Sequence, residues 1–312
     1  MLKIKDNTIY SVMYHYVRET QKSEYPNLKV LNLNDFKKQI ENFSKKFNLL
    51  KYEDFLEILS TKKIPKKPSI LLTFDDGYID HFKYVLPILV KYKVSGIFYP
   101  PILSMENKKV LDTNKIHFIL AKELDKNKIL KFIEKNTIKY LNKSLYQLKL
   151  KNINSNNRWD DGNTRLIKAL LQFHLPENIR NKIINKLFKK IINLSEKDFS
   201  KELYMNKKHI NEMVHNNMHF GIHGYTHPRL GLLSYKKQEI EIFKSINSFK
   251  KIGLSTNDIS ICYPYGSYNK DTLDIIKKHD VKFGFTLKVD SIDNININNR
   301  FELPRLDCKD FL

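Results

Sequence analysis

With 312 residues, 41% of them hydrophobic and 12% aromatic, the chain can bury a large core, which excludes disorder as its default state and suits one α/β barrel carrying an insertion. Its formal net charge of +21 is nearly all lysine, arginine standing at seven positions; lysine, asparagine and isoleucine are abundant together, as an AT-rich coding sequence gives. Nucleic-acid readers rely on arginine forks, so no specific nucleic acid is expected as a partner, and an anionic membrane surface is the best alternative meaning of the charge.

Two cysteines, Cys262 and Cys308, exclude a disulfide scaffold and form no zinc-finger spacing, so buried or half-buried thiols in a reducing compartment are expected. The first residues lack a signal-peptide pattern, and no apolar run reaches the roughly 18 residues of a membrane span. A cytoplasmic location is expected from this, with the inner membrane face as a peripheral site.

In chain order, Tyr10 to Val17 is aromatic and β-rich and reads as a first strand. Phe36, Ile40, Phe43 and Phe47 recur at helical spacing, predicting a helix from Asp35 to Lys46. After a Lys/Pro linker, Ser69 to Phe74 is a continuous apolar run of the kind covered on both faces, stopped by Asp75-Asp76-Gly77. A helix over Asp80 to Tyr92 and a second buried strand, Gly96 to Tyr99, complete a strand–helix–strand unit. The next hundred residues change character: Lys/Asn-rich, with helical periodicity at Ile129, Phe132, Ile133, Ile138 and Leu141, then a helix from Asn178 to Leu194. Residues 103–201 are therefore read as a helical insertion within a catalytic domain formed by 1–102 and 202–312. Alternation resumes with a helix over Lys207 to His215 and a short strand, Phe220 to Ile222. A helix over Tyr235 to Lys251 follows, with Ile240, Phe243, Ile246 and Phe249 on one side. Then come a strand from Ile259 to Tyr263, a helix from Lys270 to Lys278, and strands at Phe283 to Thr286 and Phe301 to Arg305. This order argues for an α/β fold, a parallel barrel or sheet with helices outside.

Three segments carry chemistry. In Thr73-Phe74-Asp75-Asp76-Gly77 two carboxylates sit where a buried parallel strand ends, the usual place for an active site. Packed together they repel unless a cation or proton intervenes; the alternative is a turn with an aspartate capping a helix. In His223-Gly224-Tyr225-Thr226-His227-Pro228, glycine and proline argue for a loop that folds two imidazoles onto one point. Neutral imidazoles with one carboxylate suit zinc or a similar divalent ion and leave a position open for water. Two unrelated surface histidines are the plainer explanation. Cys262-Tyr263-Pro264-Tyr265-Gly266 is a rigid loop at a strand end, either a tight turn or a source of a backbone oxyanion donor.

Taken together, these segments resemble the polysaccharide deacetylase (NodB-homology, carbohydrate esterase family 4-like) family: TFDDG at 73–77, a His pair followed by Pro at 223–228, and Pro-aromatic-Gly at 264–266, in the same order. Met13-Tyr14-His15 and Leu303-Pro304-Arg305 are similar to one branch of it, which includes deacetylases of surface glycans and biofilm polysaccharides. The likeness covers about residues 10–102 and 205–308. It implies a distorted parallel (β/α) barrel of the NodB-homology type and a hydrolase that removes acetyl groups from N-acetylated sugars. It implies one divalent metal ion, Zn2+ first and Co2+, Ni2+ or Fe2+ as alternatives, held by Asp76, His223 and His227. Asp75 would be the general base that activates water, and Tyr265 would donate its backbone N–H to the oxyanion.

The sequence departs from the family in three places. Gly224 stands where Ser or Thr is usual, as in some related amidohydrolases, which keeps a cyclic imide or ureide open as the substrate. Cys262 replaces an arginine that orients the base, and Arg305 is the candidate substitute. The late Leu-x-His is missing; His15, at the end of the first strand, is the candidate acid for the leaving amine. The two losses also keep a glycan-binding pseudoenzyme open. His81 and His117 are further candidates for the mouth of the site, though surface or helix positions explain them equally well. Trp159 is a core anchor or a sugar-stacking ring, the former favoured. The expected substrate is a nucleotide- or lipid-linked hexosamine or a glycan used in surface polysaccharide assembly. The oligomeric state stays open.

Overall fold

In the computed structural model, which describes residues 3–21, 23–106, 108–148 and 160–312, the chain opens with β1 (Ile9–Tyr14), α1 (Leu33–Lys46), β2 (Asn48–Leu49) and α2 (Tyr52–Thr61). There follow β3 (Ser69–Asp75), α3 (Leu86–Tyr92), β4 (Ile97–Tyr99), α4 (Ile102–Glu106), α5 (Asp112–Lys122) and α6 (Lys126–Leu141). The helices α7 (Gly162–Ala169), α8 (Glu177–Ile192), α9 (Glu196–Leu203) and α10 (Lys207–His215) lead to β5 (His219–Phe220) and α11 (Tyr235–Ile252). The chain ends with β6 (Ile261–Cys262), α12 (Lys270–Lys278), β7 (Gly284–Phe285) and β8 (Leu306–Asp307). No described helix is long and apolar enough to cross a membrane.

Two compact units emerge: Met1–Arg18 with Val30–Lys109 and Ser200–Leu312, and Glu19–Lys29 with Val110–Phe199. In the first, β5, β4, β3, β1 and β8 lie side by side in that order, all parallel, with β2 added beside β3. All seven residues of β3 are buried, as its unbroken apolar run requires of a strand covered on both faces. A second parallel pair, β6 and β7, joins this sheet through single parallel bridges, Ile222 to Ile261 on one side and Phe285 to Leu303 on the other. Leu303 leads directly into β8, so strands and bridges run round a ring. The architecture is α/β, a distorted parallel barrel in which isolated bridges replace ladders at two seams. Because every pairing between neighbouring strands of this ring is parallel, the carboxyl ends of the strands gather on one side.

The core of this unit is built from the strand interiors and helix faces, with Tyr14, Phe74 and Phe98 stacked in series at centroid separations of 4.9 and 4.6 Å. Four local expectations need correction. The helix expected from Asp80 begins as a π turn, His81–Val85, before α3. On α11 the buried stripe holds Gln238, Ile242, Ser245, Ile246 and Phe249, while Ile240 and Phe243 face solvent. The last strand is Leu306–Asp307, with Leu303 contributing one bridge, rather than Phe301 to Arg305. Helix α2 was not anticipated, although its Tyr52, Phe55 and Ile58 are buried.

The second unit, among its described residues, is helical. Helices α5 and α8 supply most of its core, where Phe118, Phe188 and Phe199 meet edge-to-face at 4.8 to 5.2 Å. The carboxylate of Asp160 takes hydrogen bonds from Lys29 Nζ at 2.6 Å and Lys168 Nζ at 2.7 Å, tying the 19–29 segment into the unit. Trp159 lies outside the described residues.

Candidate active site

The chemistry-bearing residues all follow strand ends of the barrel. Asp75 is the last residue of β3, and the chain then turns through two left-handed positions, Asp76 (φ 70°) and Gly77 (φ 67°). The turn brings the second carboxylate round beside the first, and a Cβ on residue 77 would sit 2.6 Å from Pro100 Cβ, so only glycine fits. His223 follows the Ile222 bridge that continues β5; its Nδ1–H donates to the Cys262 carbonyl at 2.7 Å. That bond fixes the tautomer and turns Nε2 toward Asp76 Oδ1, 3.8 Å away. His227, also left-handed (φ 61°), brings its Nε2 to 3.4 Å from the same oxygen.

Asp76 has two differently occupied oxygens. Oδ2 accepts the Tyr78 hydroxyl. Oδ1 is buried without a hydrogen-bond partner among the described residues, a situation that normally costs on the order of 1–3 kcal/mol or more for a charged group. Its neighbours are the two imidazole nitrogens, and one ligand atom each from Asp76, His223 and His227 lie within 4.8 Å of one another. One carboxylate oxygen and two imidazole nitrogens around an unsatisfied point fit a first-row divalent ion. Burial favours neutral imidazoles: desolvation, only partly opposed by Asp76, lowers His227 to about 3, and desolvation against Asp75 lowers His223 as well. Burial would raise Asp76, but His227, His15 and His223 together hold it below the ordinary carboxylate range.

Asp75 is engaged differently. Arg305 Nη1 and Nη2 donate to its two oxygens at 2.9 and 2.8 Å, a bidentate fork with both side chains buried. Arg305 is itself anchored by Thr286 O and Thr73 Oγ1, each at 3.3 Å, and by Cys262 Sγ at 2.9 Å. Burial pushes the Asp75 carboxyl up, yet the Arg305 guanidinium together with His223 and His15 outweighs it and holds Asp75 well below the usual range. Cys262, wholly buried, is pushed up by desolvation against the pull of Arg305 and stays a thiol, which lies 3.5 Å from Asp75 Oδ2. A second cluster of Asp75, His223 and Cys262 is also close enough to hold an ion. It suits one less well, because its carboxylate already sits in the guanidinium fork and its sulfur is protonated.

His15 follows β1, with Nε2 4.0 Å from Asp75 Oδ2 and a side chain 41% exposed. Its carbonyl accepts the Nε2–H of His81 at 2.9 Å. Tyr265 adopts a left-handed conformation (φ 57°), its ring 4.8 Å from that of His227 and 4.1 Å beneath the Arg229 guanidinium. Thus Asp75, Asp76, His223, His227, Arg305 and His15 converge, and Tyr265 adjoins them through His227. His81 is buried beneath His15 rather than lining a mouth, and His117 belongs to α5 of the second unit. Reading the sequence missed Tyr78, whose only signal was its place directly after the Asp-Asp-Gly turn.

A family model for polysaccharide deacetylases matches residues 62–113 and 179–284, half of the chain. The chain belongs to the polysaccharide deacetylase family. It is accordingly a hydrolase of carbon–nitrogen bonds other than peptide bonds, in a family whose members are generally metal-dependent. Among solved structures, the chain is similar to the Streptococcus pyogenes deacetylase PplD in complex with acetate, at 20% identity over 97% of this chain and 93% of that one, TM-score 0.61. It is also similar to IcaB from Ammonifex degensii (13% identity, 98% and 95% coverage, TM-score 0.59). A third likeness is to the BpsB deacetylase domain of Bordetella bronchiseptica (13%, 98% and 98%, TM-score 0.57). No curated protein sequence matches. At these identities the structures speak for the fold, and the family match carries the reaction class.

The family comparison gives the departures a physical reading. Gly224 has φ 66°, and a Cβ there would meet Pro228 Cδ at 2.8 Å. The backbone of this loop therefore demands glycine, whatever the substrate. The arginine missing at Cys262 has a counterpart in space, because Arg305 reaches Asp75 from the segment before β8 and packs on the Cys262 sulfur.

Proposed function

We propose that this polysaccharide deacetylase is a metal-dependent N-deacetylase of an N-acetylated sugar, releasing acetate and leaving a free amine. The observation that carries this reading is the unsatisfied Asp76 Oδ1 flanked by His227 and His223 at 3.4 and 3.8 Å, beside an Asp75 held ionised by Arg305. In this reading Asp76, His223 and His227 hold one divalent ion, Zn2+ before Co2+, Ni2+ or Fe2+ because the donors are nitrogen and a single carboxylate. When bound, the ion supplies Lewis-acid polarisation of the acetamide carbonyl and lowers the pKa of water.

The chain's own residues do the rest. Asp75, ionised throughout the physiological range, accepts a proton from the attacking water, and Arg305 fixes the direction of its lone pairs. The Tyr265 backbone N–H steadies the oxyanion as the C–N bond breaks. His15 stands across Asp75 and gives a proton to the departing nitrogen, so that water and acetamide become acetate and amine. The carrier we favour is anionic, a nucleotide- or lipid-linked hexosamine or a glycan at an anionic membrane surface, because the chain carries a charge of +21. Acetate in the related S. pyogenes deacetylase structure supports the product assigned here.

The test is acetate release from free, nucleotide-linked and polymeric N-acetylated sugars, with cyclic imides as the comparison. Chelation should abolish release and zinc restore it; Asp75→Asn should abolish release while still binding zinc. Full turnover after chelation or in Asp75→Asn, or preference for imides, overturns the reading.

A further inference from the structure

Between the two histidines proposed as ligands, the loop carries Tyr225 and Thr226, which the reaction itself does not use. Both of their backbone N–H groups donate to Glu241 Oε2, at 2.9 and 2.8 Å, and the Thr226 hydroxyl donates to Glu241 Oε1 at 2.9 Å. The two oxygens of one carboxylate are thus directed at one dipeptide, through bonds of the charge-assisted kind that are shorter and stronger than neutral ones.

Glu241 belongs to α11, whose Ile242, Ile246 and Phe249 are buried in the same core as β1, β3 and β4. The carboxylate is therefore offered from a rigid element, the condition under which an outer group can fix the geometry of an inner one. From the other side the Leu103 N–H donates to the Tyr225 carbonyl at 3.2 Å, and the Tyr225 hydroxyl donates to Glu106 at 2.8 Å. Helices α4 and α11 hold the middle of the loop between them.

The loop has reason to need such support. Gly224 and His227 both take left-handed backbone, with φ 66° and 61°. A histidine stays in that conformation when its surroundings over-determine it. A loop fixed during folding also loses less freedom when a ligand arrives, which raises affinity without adding a contact to the ligand.

We propose that Glu241 is a positioning residue that clamps the His223–His227 loop from outside, so that both imidazoles stand assembled before the metal binds. The inference rests on the metal reading above.

The test is an equilibrium zinc titration of the full chain against a competing chromophoric chelator, with three variants that separate reach from charge. Glu241→Ala removes all three bonds, and its zinc Kd should rise about 10- to 100-fold. Glu241→Gln loses the charge but keeps the reach: its oxygen can accept both N–H groups and its amide can donate to Thr226 Oγ1, so its Kd should stay within about threefold of wild type. Glu241→Asp keeps the charge and falls one methylene short, so it should bind as weakly as Glu241→Ala. Zinc binding by Glu241→Ala or Glu241→Asp within twofold of wild type overturns the clamp. So does a loss in Glu241→Gln as large as that in Glu241→Ala, which would mean that the carboxylate acts on the cation by charge alone. If Glu241→Ala does not fold, the Gln and Asp variants decide. A wild-type protein that takes no zinc overturns the metal reading, and the clamp with it; wild type that binds while all three variants bind equally well overturns the clamp alone.

Discussion

Arg305 grips Asp75 through two hydrogen bonds of 2.9 and 2.8 Å, bringing together residues 230 positions apart in the chain. The fork matches the two carboxylate oxygens, which a lysine ammonium cannot do. Arg305→Lys should therefore keep the charge and lose the geometry, lowering kcat in acetate release by about 10- to 100-fold with zinc still bound. Arg305→Ala leaves a buried, unpaired carboxylate and should cost about 3–5 kcal/mol of stability, read from denaturant melts.

The His81 ring donates Nε2–H to the His15 carbonyl and packs against Phe74, Tyr78 and Phe98. Burial lowers its pKa to about 4, so it stays neutral and serves as a fixed donor at physiological pH. His81→Phe keeps the ring packing and releases the end of β1, so kcat should fall about 10- to 100-fold with zinc Kd unchanged. His15→Ala should fall further, about 10²- to 10⁴-fold, if it donates the proton to the leaving amine. Equal rates in His15→Ala and wild type would remove it from the mechanism.

How much of this was legible in the sequence varies with the physical signal. Helices α10 and α12 were readable to the residue, because their boundaries carry caps, Asn206 and Asn269, and their buried faces are mainly apolar. On α11 the buried face was misread because it includes Gln238 and Ser245. Gln238 bonds to Leu233 O and Thr272, and Ser245 to Glu241 O, and hydrophobic periodicity does not register polar groups whose hydrogen bonds are satisfied internally. The motif residues announced themselves at strand ends, since parallel topology places those ends together. Their partners did not: Cys262 against Asp75 and Tyr78 against Asp76 are matters of three-dimensional packing that spacing alone does not encode. Arg305 was legible as a candidate only because an arginine was missing elsewhere. Gly224 has a structural cause that spacing does not show, a left-handed backbone against Pro228.

Asp160 is the buried hub of the second unit, accepting hydrogen bonds from Lys168 and Lys29. Burial raises its pKa, but the two lysines outweigh burial and lower it below the ordinary aspartate value. A depressed folded-state pKa contributes stability that is present above the unfolded pKa of about 3.9 and is lost as pH falls through the folded value. Asp160→Asn should thus cost about 1–3 kcal/mol at pH 7, and the gap from wild type should close as the pH is taken below about 4. Circular dichroism melts at several pH values read both effects; a gap independent of pH would mean that Asp160 acts by shape rather than charge.

Metal binding should be less sensitive to acid than at a site of two ordinary histidines. Zinc takes the neutral imidazole, so protons compete only near or below the histidine pKa. Two ligands with the ordinary pKa of about 6.5 would each lose about tenfold in neutral fraction between pH 7.5 and 5.5, weakening zinc about 100-fold together. Here desolvation lowers His227 to about 3 and lowers His223 too, with Asp76 and Asp75 only partly restoring them. His227 is then already deprotonated across that window, and His223, lowered from its ordinary value, loses less than an ordinary ligand would, so zinc Kd should change by less than about tenfold. The same competition titration at pH 7.5, 6.5 and 5.5 measures it. A drop of tenfold or more would show that at least one imidazole is far better solvated than its burial implies, and would point to an opening of the His223–Pro228 loop that the metal must close.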